Sequence, residues 1–227
     1  MSIPGRGGTA HPMSGHMTVP YTIAYAGELV TDPIGFVPYA GRMRLSYLSP
    51  RPNDWVDPYA GRLGSVGGIL RARTRDLRDR PDRRGPAQMR KLNTRRQWRS
   101  MDRLLCQVCG VPATDPESGL VPWALTSTVF ERTGPDTGRT NAPPTCWSCI
   151  PKVVAECPML RRDFALYTVT TVRPAGVLAD LYRPGVARGP EPAGHNLFVA
   201  WDDFRYHRYA LAVAQVVELH GMRPIAP

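Results

Sequence analysis

Two Cys-x-x-Cys pairs, Cys106-Gln107-Val108-Cys109 and Cys146-Trp147-Ser148-Cys149, are separated by the 36 residues from 110 to 145 in a chain of 227. A tetrahedral zinc ion takes four thiolates at about 2.3 Å, and each Cys-x-x-Cys turn supplies two of them to adjacent corners. Gly110 follows the first pair at once, where a knuckle needs positive φ without Cβ strain. The second pair runs into residues 151–157, which read as a helix with Pro151 in its first turn, where the missing N–H costs nothing. One pair on a tight turn and the other at a helix start is the layout of a treble-clef zinc site. Two disulfides, or four unrelated buried thiols, are the other uses of the same residues. The spacing favours zinc, and nothing in the chain points to an oxidising compartment.

Charge is the second constraint, through its position more than its size. The whole chain carries +10. Between Arg71 and Arg103, twelve arginines and Lys91 face Asp76, Asp79, Asp82 and Asp102, thirteen positive charges against four negative, a net +9 directly ahead of the first knuckle. The only other lysine is Lys152. Hydrophobic content is 42%, which fits a globular chain, and no apolar run approaches the roughly 18 residues of a membrane span. Residues 1–19 lack the apolar stretch of a secretory signal and read as an unstructured lead-in, so a cytoplasmic protein is expected.

Along the chain, residues 20–94 read as a β-rich, irregular part carrying a basic loop, with short strands at 21–25, 35–39 and 42–48. The last of these alternates polar and apolar as a half-buried strand does. Residues 55–63 are turn-rich, and a mobile loop is expected over 81–88, where Pro81 and Gly85-Pro86 break the pattern. Residues 95–160 form the zinc module. Thr94 is placed to cap a helix from Arg95, with Trp98, Met101 and Leu105 on one face and Arg96, Arg99 and Arg103 on another. Cys157, with no ligand partner nearby, reads as a small hydrophobe. Residues 161–227 read as β-β-β-α: a strand at 164–172, a turn at Pro174-Ala175-Gly176, strands at 177–182 and 196–201, and a helix from Asp202 to about His220 with Tyr209, Val213, Val216 and Val217 as its stripe. The fold class is therefore α+β: a β-rich body with a treble-clef module and a C-terminal helix packed on a small antiparallel sheet, possibly as one globular domain.

The frame from Cys106 to Cys149 resembles the zinc-bound form of the HNH endonuclease domain. The resemblance rests on the two knuckles, on Asn141 five residues before Cys146, and on the basic lead-in. It covers about 44 of the 227 residues. It implies a hairpin bearing a catalytic histidine and a final histidine after the fourth cysteine. This chain instead has Pro122-Trp123-Ala124 and Ile150, with no histidine between His16 and His195. Without an imidazole to activate water, cleavage of that type is not expected, and the four-thiolate zinc is structural.

The functional expectation is a zinc-stabilised, non-catalytic protein that binds nucleic acid through Arg95, Arg96, Arg99 and Arg103, with Arg83, Arg84 and Arg90 as loop contacts. Two alternatives stay open. One is an enzyme acting on an anionic small molecule in a pocket beside the zinc; the other is a scaffold whose arginines dock an acidic protein. Asp203 and His207, four apart on the expected C-terminal helix, suit a surface ion pair, an acid–base couple or part of a second metal site.

Overall fold

A computed structural model describes residues 18–58, 67–126, 138–186 and 189–225. The expected lead-in, up to residue 17, and residues 59–63 of the turn-rich stretch lie outside the described residues. Among those described, the fold is mixed α+β and rich in strands, thirteen against five short α-helices. No helix there is long and apolar enough to cross a membrane.

The strands are β1 (Ile23–Tyr25), β2 (Ile34–Tyr39), β3 (Arg42–Tyr47), β4 (Trp55–Val56), β5 (Ile69–Arg71), β6 (Ala87–Leu92), β7 (Val121–Leu125), β8 (Gly138–Thr140), β9 (Ala165–Val169), β10 (Thr171–Pro184), β11 (Pro190–Ala200), β12 (Ala210–His220) and β13 (Arg223–Ile225). The helices are α1 (Pro81–Arg84), α2 (Thr94–Asp102), α3 (Ile150–Glu156), α4 (Pro158–Arg162) and α5 (Phe204–His207). The largest sheet has the order β11-β10-β12-β5-β4, with β8 also paired to β12. A second sheet runs β13-β9-β7, and β1 with β6 and β2 with β3 form two-stranded ribbons.

The largest departure from the sequence expectation is β12. Residues 210–220 are a strand, and only Phe204–His207 is helical. β12 lies antiparallel to β10 from Leu181–Ala210 to Thr171–His220, parallel to β5 at Leu211 and Ala212, and antiparallel to β8 at residues 217–219. A strand flanked on both edges and covered on both faces loses its polar alternation, so its apolar residues match a helical stripe as well as a strand. Val213, Val216 and Val217 are β-branched, and tertiary pairing satisfies that preference.

The turn expected at Pro174-Ala175-Gly176 is absent too. β10 runs straight through it, and the register slips there against β12. A Cβ on Gly176 would stand 2.3 Å from the Val199 carbonyl oxygen, so this glycine serves a close strand approach at a bulge. The expected mobile loop at 81–88 holds α1 and the start of β6, which pairs with β1.

Helix α2 joins the parts. Its N-cap is Asn93, one residue earlier than expected, whose side chain accepts from the Arg96 amide at 3.1 Å. Thr94 donates instead to the Val213 carbonyl at 2.9 Å. Gln97 donates to the Gln215 and Asn141 carbonyls (3.0 and 2.8 Å) and accepts from the Gln215 amide at 2.9 Å, which pins α2 to β12 and to the approach to Cys146. Met101, Cys106, Val108, Trp123, Cys146, Val169, Val217 and Leu219 share one buried cluster, so the cysteines are set in the core that β12 completes.

Candidate metal centre and arginine face

The two knuckles are built by backbone. Gly110 donates to the Cys106 carbonyl at 2.8 Å with φ +79°, and a Cβ there would meet the Tyr21 ring at 2.8 Å. The glycine placed by sequence is required both for its φ and for its neighbour. In the second knuckle the amides of Cys149 and Ile150 turn back on the Cys146 carbonyl (2.9 and 3.2 Å), and α3 follows with Pro151 in its first turn. Gln107 couples the knuckles, its amide donating to the Pro144 carbonyl at 2.8 Å and its side chain to Thr145 Oγ1 at 2.9 Å.

This brings together the sulfurs of Cys106, Cys109, Cys146 and Cys149, all within 4.8 Å of one another. Cys109 Sγ lies 3.7 Å from Cys146 Sγ. A tetrahedron with metal–sulfur bonds of about 2.3 Å has edges of about 3.8 Å, so that separation suits a shared ion and is far outside the roughly 2.05 Å of a disulfide. Cys106 and Cys146 are buried, Cys149 half-buried and Cys109 exposed. Burial pushes the Cys106 thiol up to about 11. Burial and the thiols of Cys146 and Cys109 push Cys149 up as well. Against its own burial, Cys146 is drawn down to about 7 by the Ser148 hydroxyl, 3.3 Å away, and by the other cysteines. Four thiolates crowded this closely repel one another, and a divalent cation is what lets all four ionise together. The four cysteines therefore form a group able to hold a metal ion. Cys157 is half-buried, outside that group, and its amide closes α3 on the Val153 carbonyl at 2.8 Å.

The positions that would carry catalytic histidines in an HNH frame are packing positions. Trp123 is fully buried in β7 and donates from Nε1 to the Ala142 carbonyl at 2.8 Å, and Ile150 is buried beside Ala124 and Leu166. Asp203 and His207 do not pair. Asp203 accepts from Arg205 (2.8 and 3.0 Å), while His207 is buried, donates from Nε2 to the Ala200 carbonyl (3.2 Å), and has its pKa lowered by that burial.

The arginine stretch divides sharply. Arg96, expected to contact phosphate, is 0% exposed and is corrected here to a core residue. All five of its N–H groups are used: Nε on the Tyr21 carbonyl (2.6 Å), Nη1 on Glu28 (2.5 Å) and Asp76 (2.7 Å), and Nη2 on Glu28 (2.7 Å) and the Ile23 carbonyl (2.8 Å). Burial works against the Glu28 charge. Bonds from Arg96, from the Tyr25 and Leu77 amides and from Asn93 outweigh that burial and hold its carboxyl at about 2. Arg84 is half-buried, donating to the Arg78 carbonyl at 2.7 Å beneath the Tyr25 ring. Arg99 touches Tyr21 Oη at 3.1 Å and Asp76 at 3.5 Å. Arg83, Arg90, Arg95 and Arg103 are exposed and carry no ion pair among the described residues. The buried role of Arg96 was hidden because its acid, Glu28, lies 68 residues away in sequence.

No family model, no characterised protein and no solved structure matches this chain.

Proposed function

We propose that this protein binds nucleic acid without cutting it, through an arginine row fixed by a zinc-stapled module. In this reading zinc sits on Cys106, Cys109, Cys146 and Cys149, the two knuckles and α3 make a treble-clef-like unit with an HNH-like cysteine frame, and α2 delivers the contacts. The observation that carries the reading is the spacing of Arg95, Arg99 and Arg103. They recur every four residues on the face opposite the buried Trp98 and Met101, and the helix leads directly into Cys106. Steps of four residues climb one side of a helix. Arg90 and Lys91, both exposed on β6, extend the positive surface along the strand that enters α2.

Such guanidinium groups neutralise phosphates and release counterions, giving salt-sensitive binding with little sequence preference. The four thiolates fill the coordination shell of zinc, so its part is to hold the fold. The test is a titration of the zinc-loaded protein with random-sequence duplex DNA, single-stranded RNA and polyglutamate. Micromolar or tighter binding to a nucleic acid at low salt is expected, as for a non-specific phosphate contact. Equal or stronger binding of polyglutamate would instead favour an acidic protein partner.

A further inference from the structure

A second cationic site stands on elements that carry neither the cysteines nor α2. Tyr39, Ala40, Arg42, Met43 and Arg44 from the β2–β3 hairpin, with Phe204, Arg205 and Arg208 at α5, line a cleft of about 530 Å³. The hairpin turns on Ala40 (φ 49°) and Gly41 (φ 74°), both in the left-handed region that a tight two-residue turn demands, so Tyr39 and Arg42 face each other as the last paired residues. The opposite wall is tied to it where the Leu45 amide donates to the Arg208 carbonyl at 2.8 Å. The cleft is thus a built feature of two elements locked together.

Its chemistry is one-sided. Arg44 is buried, lies over the rings of Tyr39 (4.6 Å) and Trp55 (4.2 Å), and donates to the Gly67 carbonyl. Burial pulls its pKa down to about 10, against the opposing pull of Tyr39 first and the Asp57 charge second. Arg205 is neutralised by its fork onto Asp203. Among the described residues, Arg42 and Arg208 carry no ion pair and no carboxylate lines the cleft. Two rings, Tyr39 (49% exposed) and Phe204 (42%), are left open to solvent beside these guanidiniums. Uncompensated arginines call for an anion, and flat exposed rings call for a planar partner. The volume falls in the range of small-ligand sites.

We propose that this cleft binds a nucleotide, its phosphate held by Arg42 and Arg208 and its base stacked on Tyr39 or Phe204. Ring and phosphate together are the chemistry recognised, whether the nucleotide is free or is the phosphorylated end of a strand. The inference does not depend on the α2 row. The test is calorimetric titration of the full, zinc-loaded chain with adenosine 5′-monophosphate, adenosine and inorganic phosphate. Saturable binding of the monophosphate is expected, tighter than that of either half. R42A/R208A removes two charged partners and is expected to weaken it by about tenfold or more. R95A/R103A is expected to leave it unchanged. A 5′-phosphorylated single strand that displaces the monophosphate from R95A/R103A would identify a strand end as the ligand; failure to displace it would identify the free nucleotide. No saturable binding of the monophosphate by the wild-type protein, or equal binding by R42A/R208A, overturns the proposal. The wild-type titration decides the matter even if the double variant fails to fold.

Discussion

Arg95 and Arg96 are neighbours on one helix and obey opposite physics. Arg96 points inward, with no exposed surface and five donors matched to Glu28, Asp76 and two carbonyls. Arg95 points outward, exposed and without an ion pair among the described residues. The first organises the fold, because a buried guanidinium is tolerated only when every donor is met. The second contributes almost nothing to the fold, since a solvated charge is screened wherever it points, and it stays available to a ligand. A count of arginines is thus not a measure of binding surface. The excess charge of residues 71–103 is partly spent inside, on Arg96 and on Arg73, which is clamped by Asp32 (2.6 Å) and Asp54 (2.7 Å).

The comparison is broken most severely by removing the metal proposed for the four cysteines. α2 runs into the first knuckle, so both of its faces depend on the cysteines. A strong chelator, or the pair Cys106→Ser with Cys146→Ser, is expected to remove on the order of 10 kcal/mol of apparent stability. Loss of near-ultraviolet circular dichroism, restored by zinc in the chelated protein, is the readout; a melt indifferent to chelator would mean that no metal staples the fold. Next in size is Arg96→Ala, which strands Glu28 as an uncompensated buried charge and is expected to cost about 3–5 kcal/mol in urea denaturation. Arg95→Ala in the same assay is expected within about 0.5 kcal/mol of wild type. Equal losses would erase the distinction between the two faces.

A smaller effect sharpens the inner side. The Glu28 carboxyl is held at about 2 in the fold, below its unfolded value near the ordinary carboxylate range. Its contribution is therefore fully present above that ordinary range and is lost as pH falls from there through about 2. Glu28→Gln should flatten this part of the acid-unfolding profile, and an unchanged acid limb would place the carboxylate outside the network.

Much of the cysteine site was legible in the sequence because it is local. A Cys-x-x-Cys turn, Gly110 and Pro151 each state their backbone requirement within a few residues. The α2 helix was legible for the same reason, through the periodicity of Trp98 and Met101, although the cap fell on Asn93 when Thr94 turned to Val213 in β12. What could not be read was set by distant pairing. Residues 210–220 carry an apolar pattern that serves a helix or a fully covered strand equally well, and partners at residues 70–71, 138–140 and 171–181 decided for the strand. Arg96 followed the same logic, since periodicity placed it on the arginine face and only Glu28 and Asp76 reveal its burial. The arginine-lined cleft joins residues near 40 to residues near 206, so no single stretch announced it.

The central claim is that the outward arginines of α2 meet phosphate. It is tested most directly by the salt dependence of duplex DNA binding, compared between wild type and the triple variant R95A/R99A/R103A. Each phosphate contact contributes roughly 0.9 to the slope of log affinity against log salt, so the triple variant is expected to bind more weakly with a slope shallower by about 2–3. An identical slope and affinity in the two proteins would contradict the account.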